Sequence, residues 1–239
     1  MFCLIIYHFS TIIYHLKEMK NILITGANGQ LGNEMRVLSA ENKEYTYFFT
    51  DVAELDICNA QAILDFVKTN DINVIVNCAA YTAVDKAEES IELCTKLNAD
   101  AVGYLAEAAE ANGAEFIQIS TDYVFDGTAH VPYQETEPTC PNSVYGHTKL
   151  AGEQNALTLC TRSMVIRTAW LYSTFGNNFV KTMIRLGKER DSLGVIFDQI
   201  GTPTYARDLA RAIFTAIRQG AVPGIYHFSN EGVCSWYDF

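Results

Sequence analysis

Hydrophobic positions along the chain form short apolar runs that alternate with longer segments of helical periodicity. The apolar runs lie at 22–24, 45–49, 74–76, 116–119 and 164–166, and the helix-like segments include 59–68, 90–112 and 150–158. Short buried runs separated by amphipathic segments are typical of repeated βαβ units. The pattern therefore predicts an α/β fold, a Rossmann-like doubly wound parallel sheet with right-handed crossovers.

Two later segments extend this prediction. The apolar run at 195–197 predicts a further strand. The segment 206–218 places Leu209, Ile213 and Ile217 at helical spacing, so we expect a helix that packs back on the sheet.

Three glycines follow the first apolar run. Gly26, Gly29 and Gly32 come directly after the strand predicted at 22–24 and open a segment of helical spacing. A strand-to-helix turn of this kind lets a pyrophosphate approach backbone N–H groups at the helix N-terminus. A glycine triplet alone can also be an ordinary tight turn, so its interpretation depends on the rest of the chain.

The chemistry that a bound dinucleotide needs is encoded further along. Tyr145 and Lys149 are four residues apart, so on a helix they share a face and the ammonium can lie near the phenol. A nearby positive charge favours phenolate and lowers the pKa of a tyrosine. Thr121 closes the strand predicted at 116–120, and ligands bind at the carboxyl ends of strands in open parallel sheets. The three residues together predict a nicotinamide-dependent redox site.

Composition is that of an ordinary enzyme. The chain has 239 residues with 49% apolar content, enough for one sizeable core or a large domain with a small partner domain. A net charge of −11 argues against nucleic acid and membrane surfaces as partners, because both attract basic patches. Seven cysteines without a C-x-x-C pair indicate reduced thiols and a cytoplasmic location. The five histidines show no metal-ligand spacing, so we expect no catalytic metal.

The order of the motifs resembles a known family. The run G-x-x-G-x-x-G, then S-T-D-Y-V-F-D-G, then Y-G-x-T-K-x-x-G-E resembles the extended short-chain dehydrogenase/reductase family. The narrower runs A-A-Y-T-A-V-D at 79–85 and S-T-D-Y-V-F-D-G at 120–127 resemble its dTDP-4-dehydrorhamnose reductase branch, and the likeness extends over residues 19–239. The resemblance implies reduction of the C4 ketone of dTDP-4-dehydro-L-rhamnose by NADPH or NADH, for cell-surface polysaccharide. The implied partner is a sugar nucleotide, and the sequence is compatible with a homodimer.

The resemblance and the spacing together assign cofactor roles. Asp51 lies 19 residues after Gly32, where a carboxylate can accept hydrogen bonds from the adenosine ribose and favour NADH; an ordinary turn aspartate is the alternative. The remaining cofactor positions are pyrophosphate contacts, adenine-side contacts and small residues beside the ribose. The predicted cofactor-binding set is Gly26, Gly29, Gln30, Leu31, Gly32, Asp51, Asp56, Ile57, Ala79, Ala80, Tyr81, Tyr145 and Lys149.

Catalytic and substrate roles follow from the same comparison. We expect Tyr145 to deliver the proton, Thr121 to hydrogen-bond the carbonyl oxygen, and Lys149 to hold the nicotinamide ribose while lowering the tyrosine pKa. Thr121 also belongs to the predicted substrate set, with Asp122, Trp170 and Asn178. A strand-end cap, a core tryptophan and a helix N-cap are the respective alternatives for the last three.

Two other functions stay open. An epimerase or dehydratase of the same fold would share the glycines and the Tyr/Lys pair, although Asp122 and Tyr123 after Thr121 do not supply the Asp-Glu pair that dehydration needs. A non-catalytic, cofactor-binding regulatory subunit is the other alternative. The presence of Thr121, Tyr145 and Lys149 argues against it.

The domain prediction includes both ends of the chain. Residues 19–172, with the helix at 206–218, are the predicted dinucleotide-binding domain, and 173–205 with 219–239 are a partial substrate domain. Residues 1–18 are expected to lie outside the fold, upstream of a start at Met19. By resemblance, we expect the chain to stop inside the substrate domain and to leave Trp236 and Phe239 without packing partners. Such a chain should bind cofactor better than it turns over substrate.

Overall fold

A computed structural model describes residues 19–239; the expected extension over residues 1–18 lies outside the described part. The strands are β1 (Asn21–Thr25), β2 (Thr46–Thr50), β3 (Val74–Asn77), β4 (Glu115–Thr121), β5 (Ser163–Thr168), β6 (Leu171–Tyr172), β7 (Ile200–Gly201), β8 (Thr204–Tyr205), β9 (Gly224–His227) and β10 (Cys234–Ser235). The helices are α1 (Gln30–Ser39), α2 (Ala60–Thr69), α3 (Val84–Ala87), α4 (Ile91–Thr95), α5 (Ala101–Ala111), α6 (Val144–Leu159), α7 (Phe179–Glu189) and α8 (Ala206–Gln219). A π-helical turn, Lys96–Asp100, joins α4 to α5, and a 3₁₀ turn, Asp122–Val124, follows β4.

Six strands form one sheet in the order β2-β1-β3-β4-β5-β9, and every neighbouring pair is parallel. The chain runs from β1 outwards to β2 and then returns to β3 on the other side of β1. The connections after β1 and β3 therefore leave in opposite directions and open a crevice at the carboxyl ends of these strands. This topology confirms the predicted doubly wound α/β fold.

Both faces of the sheet are covered, which is why its strands are almost uniformly apolar. In β1, Leu23 points into a cluster with residues of α2, α5 and α6, whereas Ile22 and Ile24 point into a second cluster with residues of α1 and α8. All three side chains are fully buried. The alternation of successive side chains thus distributes one apolar run between two cores.

The predicted helix over 206–218 is present as α8. Leu209, Ile213 and Ile217 are fully buried against the sheet and α1, as their spacing requires. The predicted helix over 90–112 is present in three parts, because the π-helical turn interrupts it.

The prediction of a strand at 195–197 is wrong. This segment lies outside every strand, and Ile196 and Phe197 are 52% and 74% exposed. An apolar run becomes a strand only where a neighbour pairs with its backbone, and here the Tyr237 N–H donates one hydrogen bond to the Ile196 carbonyl. The sixth strand of the sheet is β9 instead, which pairs with β5.

Residues 171–205 and 234–239, which follow β5, pack more loosely than the sheet. Helix α7 has no fully buried residue, and β6, β7, β8 and β10 form two small two-stranded sheets. Aromatic rings hold this region together: Trp170 stacks on Trp236 with centroids 3.6 Å apart, and Phe239 packs against Phe179 at 5.7 Å. The expectation that Trp236 and Phe239 lack partners is therefore wrong. The division of the chain into two domains stays a prediction.

No helix within residues 19–239 combines the length and apolar character needed to cross a membrane.

Candidate active site

The glycine motif forms the tight connection between β1 and α1. Gly26 has φ +61°, and a Cβ on it would lie 2.6 Å from the Ala79 backbone nitrogen. A Cβ on Gly32 would lie 2.5 Å from the Ala27 Cα, and one on Gly29 would lie 3.2 Å from the Gly26 carbonyl oxygen. Side chains at Gly26 and Gly32 would collide with backbone, so these positions allow α1 to begin directly beside the loop after β3.

Helix α1 begins without a side-chain cap. Its N-cap is Gly29, which supplies no side-chain hydrogen bond, whereas Asn59, Ser143 and Asn178 cap α2, α6 and α7. The first N–H groups of α1 therefore donate to no cap side chain, and they carry the positive end of the helix dipole. The uncapped terminus and the cradle that a Cβ would fill fit a dinucleotide pyrophosphate.

The residues predicted beside the adenosine lie next to this loop. The Asp51 carboxylate accepts the Asn28 N–H at 3.1 Å and the Val52 N–H at 2.9 Å, so it ties the end of β2 to the glycine loop. Asp56 accepts the Cys58 N–H at 2.9 Å, and the Ile57 side chain is buried in the core. These contacts are those of a turn aspartate beside the glycine loop. Its cofactor role stays a prediction.

The small residues after β3 line the other side of the crevice. Ala79 approaches Gly26, and Ala79, Ala80 and Tyr81 are all half-buried. The backbone of Tyr81 is fixed by Asn98, whose side chain accepts the Tyr81 N–H at 2.8 Å and donates to the Tyr81 carbonyl at 3.1 Å. Asn98 lies in the π-helical turn and is 1% exposed. Nothing in the local pattern singles it out, and the interrupted helix is the structural signal that marks it.

Gln30 connects the glycine loop to the segment before α7. Its side-chain oxygen accepts the Asn178 amide at 3.0 Å, and its amide lies 3.4 Å from the Leu171 carbonyl. Asn178 also caps α7 by accepting the Lys181 N–H at 3.0 Å, which is the alternative role weighed for it. The Leu31 side chain is buried in the core, so only its backbone can face a cofactor.

The three predicted catalytic residues meet at the carboxyl end of β4. Thr121 ends β4, while Tyr145 and Lys149 lie one turn apart on α6, and all three are buried. The Thr121 hydroxyl lies near enough to the Tyr145 hydroxyl to influence its pKa. Lys149 Nζ donates to the Ile119 carbonyl at 2.6 Å. Folding therefore brings Thr121 together with Tyr145 and Lys149, which follow it in the sequence by 24 and 28 positions.

The electrostatics of the tyrosine differ from the expectation. Burial is the largest effect and raises the pKa of Tyr145, and the neighbouring Thr121 hydroxyl partly opposes this shift. Burial likewise lowers the pKa of Lys149 to about 8, and the negative charge of Glu153 is the first of the groups that oppose this shift. A raised pKa keeps the phenol protonated at neutral pH, as a proton donor requires. The expected lowering of the Tyr145 pKa by Lys149 is not found in the protein without cofactor.

A buried ion pair stands behind the lysine. Arg167 Nε donates to Glu153 Oε1 at 2.9 Å and Arg167 Nη2 donates to Glu153 Oε2 at 2.7 Å. Both side chains are at most 4% exposed. A row of buried polar side chains runs across β1, β3 and β4. The Thr25 hydroxyl donates to Asn77 at 2.6 Å, and the Asn77 amide donates to Gln118 at 2.7 Å.

The predicted substrate residues surround the catalytic group unevenly. Asp122 accepts the Thr121 hydroxyl at 3.0 Å, and burial raises the pKa of its carboxyl. Trp170 is half-buried and has φ +49°, a conformation that a bulky residue adopts only when its surroundings enforce it. Its ring packs against Gly201, where a Cβ would lie 2.5 Å from Trp170 Cε2. Substrate contact by Asp122, Trp170 and Asn178 stays a prediction.

Known proteins share this arrangement. The RmlD substrate binding domain family matches residues 19–239. The dTDP-4-dehydrorhamnose reductase from Aggregatibacter actinomycetemcomitans is 45% identical over 226 residues, which cover 92% of this chain and 77% of that protein. This chain belongs to the dTDP-4-dehydrorhamnose reductase family.

Solved structures of dTDP-4-dehydrorhamnose reductases agree with the fold. The structure from Clostridium acetobutylicum superimposes with a TM-score of 0.88 at 50% identity, covering 91% of this chain and 77% of that chain. The structure from Bacillus anthracis, in complex with NADP, has a TM-score of 0.88 at 43% identity and covers 92% of this chain and 78% of that chain. The members of this family are NAD(P)-dependent oxidoreductases that act on sugar nucleotides. Such an activity explains both the glycine cradle and the Tyr/Lys pair. Within residues 19–239, no group of three or more His, Cys, Asp or Glu side chains is placed to hold a metal ion.

Proposed function

We propose that this chain reduces the C4 ketone of dTDP-4-dehydro-L-rhamnose to the alcohol of dTDP-L-rhamnose with NADPH or NADH. One observation carries the proposal: Thr121, Tyr145 and Lys149 meet at the carboxyl end of β4, the same edge of the parallel sheet at which the uncapped, glycine-lined α1 begins. The sugar itself is taken from the relatives, whose names specify it.

The chain's own residues divide the chemistry between holding and proton transfer. Gly26, Gly29 and Gly32 with the start of α1 would hold the pyrophosphate, and Lys149 would hold the nicotinamide ribose. A bound nicotinamide supplies the hydride. Tyr145 donates its proton to the ketone oxygen, and its raised pKa keeps that proton in place at neutral pH.

Thr121 orients the ketone in this proposal. Its hydroxyl donates to Asp122 in the structure, and the hydroxyl proton rotates freely enough to point to a substrate oxygen instead. A hydrogen bond to the oxygen that gains charge stabilises the transition state more than the ground state. Asp122 and Trp170 would then bound the sugar, and the substrate diphosphate would lie towards Asn178.

The test is an assay with the keto-sugar nucleotide and each reduced cofactor, following the loss of nicotinamide absorbance. We expect turnover with the ketone and none with a dTDP-sugar that lacks it. Equal turnover of other keto-sugar nucleotides would contradict the specific substrate but keep the reductase chemistry. Cofactor binding without turnover of any sugar would favour the regulatory alternative.

The setting of the reaction follows from its chemistry. We place it in the cytoplasm, where reduced nicotinamide cofactors and sugar nucleotides are available. The six free cysteines within residues 19–239 would also stay reduced there. A homodimer is a further expectation, which light scattering on the purified protein tests.

A further inference from the structure

The face of α6 that carries the catalytic pair continues for one more turn. Tyr145, Lys149 and Glu153 follow each other at intervals of four residues, so they lie in one row along the helix. All three are buried, and Glu153 is 1% exposed. A carboxylate therefore ends the row whose other members are the phenol and the ammonium.

Glu153 is held rigidly from the sheet side. Arg167, on β5, donates to both carboxylate oxygens, and its guanidinium lies 5.1 Å from the centre of the Phe125 ring. Neither partner has freedom to turn away. Lys149 is in turn held by the Ile119 carbonyl on β4, the strand next to β5.

Stability alone does not account for such a pair. Replacing a buried ion pair by apolar side chains of similar size is often neutral or stabilising. Lys149, in contrast, needs a nearby negative charge, because it is 4% exposed and burial favours its neutral form. Glu153 heads the groups that counteract this effect of burial.

We propose that Glu153 is a positioning residue for the reaction: its carboxylate, fixed by Arg167 one helical turn from Lys149, keeps the Lys149 ammonium charged at the active site. The other ionisable groups that face Lys149 are Tyr145 on its own helix, Cys94 of α4 and Cys78 after β3. Burial raises the pKa of both Cys78 and Tyr145, which favours their neutral forms. Glu153 is the one carboxylate among the groups that act on Lys149.

The direct test measures the titration of Lys149 in the protein without cofactor. Protein labelled with ¹³C-lysine gives one ε-methylene signal for each of the nine lysines, and the signal missing in Lys149→Met identifies Lys149. We expect it to titrate near pH 8 in the wild type, well below the other lysines. In Glu153→Gln we expect the midpoint to fall by about one to two pH units.

Two further variants separate charge from structure. Glu153→Asp keeps the charge and shortens the side chain, so its Lys149 midpoint should stay within about half a unit of the wild type. The double variant E153L/R167M removes both charges without leaving one unpaired, so it stays informative if Glu153→Gln fails to fold. A wild-type midpoint in the double variant, or equal shifts in Glu153→Asp and the double variant, would overturn the proposal.

The consequence for cofactor binding rests on the proposed function, in which Lys149 holds the nicotinamide ribose. As the pH rises, the affinity for NADPH should begin to fall at a pH about one unit lower in E153L/R167M than in the wild type. The lysine titration is recorded without cofactor or substrate, so it can succeed while the reductase assay fails, and the two outcomes are distinguishable.

Discussion

The two sides of the crevice are built by different means. On the side proposed for the cofactor, the glycine loop packs closely against backbone segments, and β3 and all but the first residue of β1 are buried. On the side proposed for the sugar, α7 has no fully buried residue, and the region is held by the Trp170–Trp236 stack and the Gln30–Asn178 hydrogen bond. The first side is fixed by close backbone packing, whereas the second can adjust. Backbone packing thus shapes the proposed cofactor side, and side-chain packing shapes the proposed sugar side.

The strongest test removes the proton donor, which stands on the rigid side. Tyr145→Phe deletes one hydroxyl and keeps the buried ring, so turnover should fall by about 10²–10⁴-fold while NADPH affinity changes little. Stopped-flow turnover and a fluorescence titration of NADPH measure the two quantities. Lys149→Met is the comparison, because it should reduce both. Near-normal turnover of Tyr145→Phe would remove Tyr145 from the mechanism.

The rigidity of the cofactor side is tested at Gly26. Gly26→Ala places a Cβ 2.6 Å from the Ala79 nitrogen at a positive φ, so we expect a loss of about 3 kcal/mol in the free energy of unfolding and weaker NADPH binding. Gly113→Ala is the matched control, since Gly113 also has a positive φ but a Cβ there meets nothing within 4 Å. The control should lose only about 1 kcal/mol. Equal losses in urea denaturation would show that the close approach to Ala79 is unimportant.

The charge on Lys149 gives the rigid side a pH dependence. Its pKa is lowered to about 8, so the ammonium is present below that pH and is lost as the pH rises through it. NADPH affinity should therefore fall above about pH 8, by up to about tenfold per pH unit. Isothermal titration at several pH values measures this. Lys149→Arg keeps its charge throughout the range and should bind with little pH dependence, although more weakly; the same alkaline fall in this variant would assign the effect to another group.

The adjustable side is tested at Gly201. Gly201→Ala would bring a Cβ to 2.5 Å from the Trp170 ring and push the aromatic stack aside, which should raise KM for the sugar nucleotide by about fivefold. NADPH affinity should not change. Gly187→Ala in exposed α7, where a Cβ meets nothing within 4 Å, is the control and should leave both constants unaltered. A change in cofactor affinity for Gly201→Ala would mean that the two sides are not independent.

The smallest expected effect concerns the choice of cofactor. An ionised Asp51 near the adenosine ribose would repel a 2′-phosphate, so Asp51→Ala should shift the preference towards NADPH by about two- to fivefold. The Kd ratio for NADH and NADPH, measured in both proteins, gives the shift. An unchanged ratio would show that Asp51 is only a turn residue, whose carboxylate accepts the Asn28 and Val52 N–H groups.

Features that depend on near neighbours in the chain could be predicted from the sequence. The alternation of apolar runs and helical segments predicted the parallel sheet, because side-chain periodicity directly reports which faces are buried. The glycine spacing predicted the turn between β1 and α1, and the interval from Tyr145 to Lys149 predicted their common face on α6. Each of these depends only on local geometry.

Only the tertiary structure decided the rest. The segment 195–197 has the composition of a strand but no neighbouring strand to pair with, and β9 is a strand because β5 lies beside it. The pairing of Glu153 with Arg167, and the fixing of the Tyr81 backbone by Asn98, join residues 14 and 17 positions apart through the packing of different elements. The burial that raises the Tyr145 pKa likewise arises from the surrounding elements and not from the motif itself. The sequence by itself predicted which residues the reaction would use; their charge states and their supports depend on which distant groups the fold brings near them.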